Sequence, residues 1–400
     1  MKTNTDPQKI NDLLNRGVEE VIDKTHLENS LKSGKKLRVK FGIDPTGPKI
    51  HIGRAIVLWK LRAFQELGHQ IVLIIGDFTA KIGDASDKTS QRKPLTDKEI
   101  KENMKGYKQQ IAKILDIKKV EFRHNSEWLG KLKPEKLLEL AQQITAQQVI
   151  QRRNFKERWE SENPIGLHEL FYPLLQGYDS VAIKADVELG GADQLFNLNV
   201  GRDLQRIFNQ KPQDIFITKM LNGLDGRKMS TSWGNIITII DQPTDMFGKI
   251  MSMRDEQIGD YFELCAQLPM TEVSQIKQQL QNQSVNPRDL KVRLAFEIVK
   301  LYHGEKPAQK AQTEFANVFQ KKELPSEMPI FKTSQQAYPI LDLLKDSGLT
   351  FSKQEAKRLV EGKAVEIDNR LIVNWQEMIP LKNNTVIKVG KKKFLRINIE

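Results

Sequence analysis

The spacing of apolar side chains changes along the first third of the chain, and the changes mark out elements. Leu37 to Ile43 reads as a buried strand, and Asp44 to Arg54 as a loop punctuated by Pro45, Gly47, Pro48 and Gly53. From Ala55 the apolar positions Ile56, Leu58, Leu61, Phe64 and Leu67 follow helical spacing up to Gly68, a typical helix-ending residue. Ile71 to Ile75 is a second strand, followed by Gly76-Asp77. Strand, helix, strand at this spacing predicts a βαβ unit and a parallel sheet, whose ligands sit at the carboxyl ends of the strands. Chemistry is therefore expected in the loops after Ile43 and Ile75. Residues 95–180 read as a polar, helical insertion between the halves of the sheet, and Phe216 to Leu221 as another strand. Residues 245–320 read as helices rich in Gln and Lys, and 321–333 as a linker carrying Pro325 and Pro329. Beyond it a helix from Ile340 closes at Gly348. Ser352 and Glu355 form a capping box that opens a second helix ending at Gly362, and Ala364–Val373 and Thr385–Ile399 read as strand pairs.

Composition narrows the class. Four hundred residues, 39% hydrophobic and 28% charged, suit two or three domains. The apolar runs are far shorter than a membrane span, and the polar N-terminus lacks a secretory apolar region. Cys265 is the one cysteine, which excludes an internal disulfide and suits a reducing cytoplasm. The six histidines have no ligand spacing, so no structural zinc site is expected. The formal net charge of +12 favours a polyanionic partner. Residues 335–400 share that excess, with 12 Lys and Arg against 8 Asp and Glu.

Two loops carry candidate chemistry. Asp44-Pro45-Thr46-Gly47-Pro48-Lys49-Ile50-His51-Ile52-Gly53-Arg54 leads into a helix N-terminus, where free N–H groups and partial positive charge suit phosphate. Gly53 leaves room for a flat base against the backbone. Far downstream, Asp225-Gly226-Arg227-Lys228-Met229-Ser230-Thr231-Ser232-Trp233-Gly234-Asn235 holds Lys228 among small and hydroxyl residues. Alone, the first is an ordinary capped helix start and the second a solvated turn. In this order, after the first and last strands, they resemble the paired HIGH and KMSKS signatures of class I aminoacyl-tRNA synthetases. The chain departs from them at Arg54, where the second histidine stands, and at Thr231, where the second lysine stands.

Three more stretches narrow the resemblance: Gly76 to Lys88, Phe171 to Asp179, and Glu188-Leu189-Gly190-Gly191-Ala192-Asp193-Gln194. All are similar to segments of bacterial tyrosyl-tRNA synthetases. Tyr172, Gln176 and Asp179 are spaced i, i+4, i+7, so they share one helix face. The resemblance implies that Asp84, Tyr172 and Gln176 hold the tyrosine ammonium, that Asp179 accepts from the phenol, and that Gln194 meets the carboxylate. It also implies that Asp44 and Thr46 line the ammonium and phosphate sides, and that Gly191 and Asp193 contact the ribose. ATP is then bound by Asp44, His51, Gly53, Arg54, Gly191, Asp193, Lys228, Met229 and Ser230, with Mg2+ arriving on the nucleotide. Thr46, His51, Lys228, Lys88 and Arg92 are the expected catalytic set. Where the better-known branch has a tyrosine reaching the phenol, this chain has Lys40, which places it in a branch with lysine there.

Residues 338–375 resemble the small RNA-binding domain named after ribosomal protein S four. That resemblance makes Lys353, Lys357, Arg358 and Lys363 candidate RNA contacts. The expected architecture is α/β: a Rossmann-like parallel-sheet catalytic domain over 1–240 with its helical insertion near 95–180, an α-helical anticodon-arm domain over 241–325, and a small α+β RNA-binding domain over 335–400. The expected activity is tyrosine–tRNA ligation, with ATP, L-tyrosine and tRNA(Tyr) as partners, in a cytoplasmic homodimer. By family analogy the insertion, with Arg152, Arg153 and Phe155, forms the dimer interface. Three alternatives stand beside this reading: a tryptophanyl sister enzyme, a non-catalytic RNA-binding paralogue signalled by Arg54 and Thr231, and a generic nucleotidyltransferase.

Overall fold

The computed structural model describes residues 3–84, 94–229, 233–320, 328–368, 370–390 and 393–399. The chain divides into two compact units, Met1–Gln312 and Thr313–Glu400.

The first unit is built on a six-stranded sheet: β1 (Val18–Ile22), β2 (Arg38–Ile43), β3 (Gln70–Ile75), β4 (Val120–His124), β5 (Val187–Gly191) and β6 (Asp214–Thr218), in the order β1-β6-β5-β2-β3-β4. All neighbours are parallel except β1, which runs antiparallel to β6 at the edge. The expected βαβ unit is β2, the helix Ile52–Glu66 and β3, paired in register from Arg38↔Gln70 to Ile43↔Ile75. That helix starts three residues before the apolar periodicity does, because His51 caps it. It ends before Gly68, whose φ of +90° favours glycine. Its apolar side (Leu58, Leu61, Phe64) is fully buried, with the Phe64 ring edge-on to Phe216 of β6 at 5.8 Å.

Two differences from the sequence expectation have physical causes. The stretch 95–180 is mostly helical, yet it also contributes β4. The strand's alternating charges Glu121 and Arg123 read as polar because it lies on the sheet edge, half-buried throughout. The strand expected to reach Leu221 ends at Thr218, where the chain turns and the Lys219 amide bonds the Gly17 carbonyl. Helices Pro243–Met251, Ile258–Leu264, Met270–Gln281 and Pro287–His303 complete the unit. Among the described residues one group of metal-type ligands gathers: Asp23, His26 and Asp214. His26 Nδ1 sits 2.9 Å from both Asp214 oxygens while Asp23 caps the His26 amide, so the three already join a helix start to β6.

The second unit packs helices Ile340–Asp346 and Lys353–Glu361 on a five-stranded sheet. Ile340, Leu343, Leu344, Ala356, Val360, Ile387 and Ile397 form its core. Ser352 Oγ accepts from the Glu355 amide, but Glu355 reaches back to the Phe351 amide rather than to Ser352. The end of the expected linker is ordered: Ile330–Thr333 pairs in parallel with Lys393–Ile399.

Candidate active site

The carboxyl ends of β2, β3, β5 and β6 open on one cleft of about 280 Å3. Its walls include Asp44, Thr46, His51, Gly53, Arg54, Asp84, Tyr172, Gln176, Asp179, Gly191, Asp193, Gln194, Lys228 and Met229. Every candidate nucleotide- and tyrosine-site residue within the described chain is therefore gathered in one place. Lys88, Arg92 and Ser230 lie outside the described residues.

One end of the cleft is a chain of polar contacts. Asp179, buried in the helix Tyr172–Ile183, accepts from Trp128 Nε1 at 2.8 Å and from Asn125 Nδ2 at 3.3 Å. Asn125 also donates to Thr79 Oγ1 (3.0 Å), which donates to Asp44 Oδ1 (2.8 Å). Asp44 Oδ2 accepts from the Tyr172 hydroxyl at 3.0 Å. Burial pushes the Asp179 carboxyl up to about 7, against the pull of Lys40 and its two donors. Gly76 makes this arrangement possible: a Cβ there would lie 1.9 Å from Asp44 Oδ1 and 2.5 Å from Thr79 Oγ1. Asn125 and Trp128 were not legible as site residues, since only folding brings the end of β4 beside Asp179.

The middle of the cleft is held by amides. Gln194 Nε2 donates to Asp84 Oδ2 at 2.7 Å, and Asn197 Nδ2 donates to Gln176 Oε1 (2.8 Å) and Gln194 Oε1 (3.0 Å). Arg152 approaches Asp84 Oδ1 at 3.6 Å, and its guanidinium lies over Phe155 and Phe196. Phe155 is buried, and the Arg152 guanidinium packs over its ring. Lys40 does not line the cleft. It is fully buried beneath it, with Nζ 2.8 Å from Glu188 Oε1, 2.7 Å from Ser180 Oγ and 3.1 Å from the Gln176 carbonyl.

At the other end, His51 caps the helix Ile52–Glu66, its Nδ1 accepting from the Arg54 amide at 3.3 Å. Burial, with Arg54 nearby, lowers its pKa to about 4, so the ring is neutral at pH 7. With Nδ1 an acceptor, the proton sits on Nε2. Lys228 Nζ lies 3.3 Å from Asp193 Oδ2. Behind it, Asn235 Nδ2 donates to Asp225 Oδ1 (2.8 Å) and the Lys228 carbonyl (3.1 Å), and Gln257 Nε2 to the Gly223 carbonyl (2.8 Å). The Asn235 amide, with Arg227, holds the Asp225 carboxyl down at about 2.

The candidate RNA residues lie on the second unit. Lys353, Arg358 and Lys363 are exposed, and Lys353 pairs with Asp342. Lys357 is half-buried, with Nζ 4.1 Å from the Trp375 ring centroid and 3.8 Å from Glu361.

Comparison with known proteins agrees with this geometry. Residues 32–320 match the family model of class I tRNA synthetases (W and Y). A tyrosine–tRNA ligase of Mannheimia succiniciproducens is 46% identical over 387 residues, 96% of this chain and 97% of the relative. One from Thermotoga maritima is 45% identical over 393 residues, 98% of each chain. Among solved structures, a C-terminally truncated mitochondrial tyrosyl-tRNA synthetase of Aspergillus nidulans superposes with a TM-score of 0.64 at 21% identity, covering 78% of this chain and 94% of that one. The tyrosyl-tRNA synthetase of Archaeoglobus fulgidus, solved with L-tyrosine, gives 0.61 at 23% identity over 76% and 98%. The fold, the gathered cleft and full-length relatives at this identity have one common reading: the chain belongs to the tyrosine–tRNA ligase family of class I tRNA synthetases.

Proposed function

We infer that the chain activates L-tyrosine with ATP and transfers it to the 3′ end of tRNA(Tyr). The observation that carries this reading is the convergence of Asp84, Tyr172, Gln176 and Asp179 on one wall of the cleft that also holds His51 and Lys228.

Asp179 accepts a hydrogen bond from the phenol hydroxyl. Trp128 and Asn125 already donate to it, so a substrate hydroxyl completes its shell. Phenylalanine would leave that buried carboxylate short of a donor, at a cost of about 1–3 kcal/mol or more. At the other end of the substrate, Tyr172 spends its proton on Asp44 and so presents a lone pair to the ammonium, alongside Asp84. Gln176 joins them at the ammonium and Gln194 meets the carboxylate, both oriented by Asn197. That carboxylate is ionised at neutral pH and attacks the α-phosphate without a general base. Catalysis is then positioning and charge stabilisation. Neutral His51 donates Nε2–H to an oxygen gaining charge, with Thr46 beside it. Lys228, with Lys88 and Arg92, faces the leaving pyrophosphate, and Gly191 and Asp193 the ribose. The cleft carboxylates Asp44, Asp84 and Asp193 already carry hydrogen-bond or ion-pair partners, which suits Mg2+ held by the triphosphate rather than by a protein cage.

The helices of 241–325 and the module of 335–400 bind tRNA in this reading, the latter through Lys353, Lys357, Arg358 and Lys363. The protein works as a cytoplasmic homodimer. Exposed Trp159 and Leu167 on the insertion support the pairing, and the absence of a membrane-spanning helix among the described residues suits a partner in solution. Tyrosine-dependent ATP–pyrophosphate exchange, run beside the other nineteen amino acids, tests the activity. Exchange with tryptophan instead, or with none from folded protein that binds tRNA, overturns it.

A further inference from the structure

The loop Asp44–His51 carries three proposed ligands, Asp44, Thr46 and His51, and two prolines. Its end is tied by backbone, the Ile239 amide donating to the Ile50 carbonyl and His51 bridging to Thr238. Between Pro45 and Ile50, three side chains from the start of the insertion hold the remaining backbone groups. Asn103 Nδ2 donates to the Pro45 carbonyl (2.8 Å), and Tyr107 Oη to the Gly47 carbonyl (2.8 Å). Gln110 bridges two groups at once, donating to the Pro48 carbonyl and accepting from the Ile50 amide, both at 2.8 Å. Tyr107 and Gln110 are 2% and 4% exposed, so no solvent replaces them. The Tyr107 oxygen also accepts from Arg54 Nη1 at 3.3 Å, and Arg54 stands where the family signature has its second histidine.

We infer that Tyr107 and Gln110 are positioning residues for the nucleotide loop, and that Arg54 acts with Tyr107 as one brace rather than as an independent ATP ligand. The departure at Arg54 is thereby given a structural partner: a long cation reaches back to a phenol on the insertion, and that phenol holds the turn at Gly47. A buried carbonyl left without its donor costs enough to shift the loop, and a shift of the loop misplaces Thr46 and His51 against the α-phosphate. The inference rests on reading this loop as the nucleotide site.

The test is a double-mutant cycle on the full-length enzyme, with Tyr107→Phe, Arg54→Gln and the pair, read by tyrosine-dependent pyrophosphate exchange. Each single change is expected to lower kcat about tenfold, with KM for tyrosine unchanged because the tyrosine wall is untouched. The pair should fall no further than the worse single variant, since both remove one brace. Arg54→Lys should restore part of the loss. Two results overturn the inference: losses that multiply in the pair, which make Arg54 an independent ligand, or a lowered Tm with wild-type kcat, which makes Tyr107 merely structural. Gln110→Glu, which keeps the size but removes the donor to Pro48, gives a second reading if Tyr107→Phe folds poorly, and wild-type kcat there also overturns it. Wild-type enzyme silent with every amino acid instead refutes the activity itself.

Discussion

Replacing Asp179 by Asn separates what that carboxylate costs from what it does. Its pKa stands at about 7 instead of 3.8, chiefly from burial. Each unit is worth about 1.4 kcal/mol, so holding it ionised above neutrality costs the fold about 4 kcal/mol. The sign follows from linkage. Below the ordinary carboxylate range both folded and unfolded states are protonated and nothing is lost. As pH rises the unfolded chain ionises first, stability falls, and the loss levels off once pH passes about 7. Roughly 2–3 kcal/mol of it accrues between pH 5 and pH 8. Asn carries no such term. It does turn an N–H toward either Trp128 or Asn125, both donors, at about 1–3 kcal/mol, but that cost does not change with pH. Urea unfolding of wild type and Asp179→Asn, followed by tryptophan fluorescence, should show the variant gaining about 2–3 kcal/mol relative to wild type from pH 5 to pH 8. The same variant should lose its preference for tyrosine over phenylalanine in pyrophosphate exchange. A stability difference that is equal at the two pH values would refute the argument, because it would mean that Asp179 ionises in the folded protein at its ordinary pKa.

Three further outcomes follow from the site. His51→Ala should lower kcat for exchange by roughly 3 kcal/mol, about a hundredfold, with KM for tyrosine little changed; with a ring pKa of about 4, the wild-type rate should show no histidine limb between pH 6 and 8. Gly76→Ala drives a methyl into Asp44 and Thr79 and should weaken tyrosine binding at least tenfold by calorimetry, a loss that Thr79→Ser, which keeps the hydroxyl, should not share. Lys353→Ala and Lys363→Ala should each flatten the log–log salt dependence of tRNA binding by about one phosphate contact while leaving exchange intact; an unchanged slope would remove these residues from the RNA surface.

Local features of this protein were determined by the sequence alone. The βαβ unit showed in the apolar spacing of Leu37–Ile75, and the shared face in the i, i+4, i+7 spacing of Tyr172, Gln176 and Asp179. Each rests on neighbours within a few residues, where helix and strand geometry leave little choice. Partners distant in the chain were decided by the tertiary structure. Asn125 and Trp128 reach Asp179 only because β4 pairs beside β3, and β4 was hidden by its charged, half-exposed edge residues. Lys40 stands where the better-known branch has a tyrosine reaching the phenol, yet the sheet puts Glu188 of β5 within 2.8 Å of its Nζ and buries the cation beneath the cleft. Arg54 stood in the sequence as a candidate ATP contact with no visible partner, and folding sets Tyr107 against it. In all three cases the deciding term is the cost of a buried polar group without a partner. The partner that meets it is chosen by packing across the sheet, not by distance along the chain.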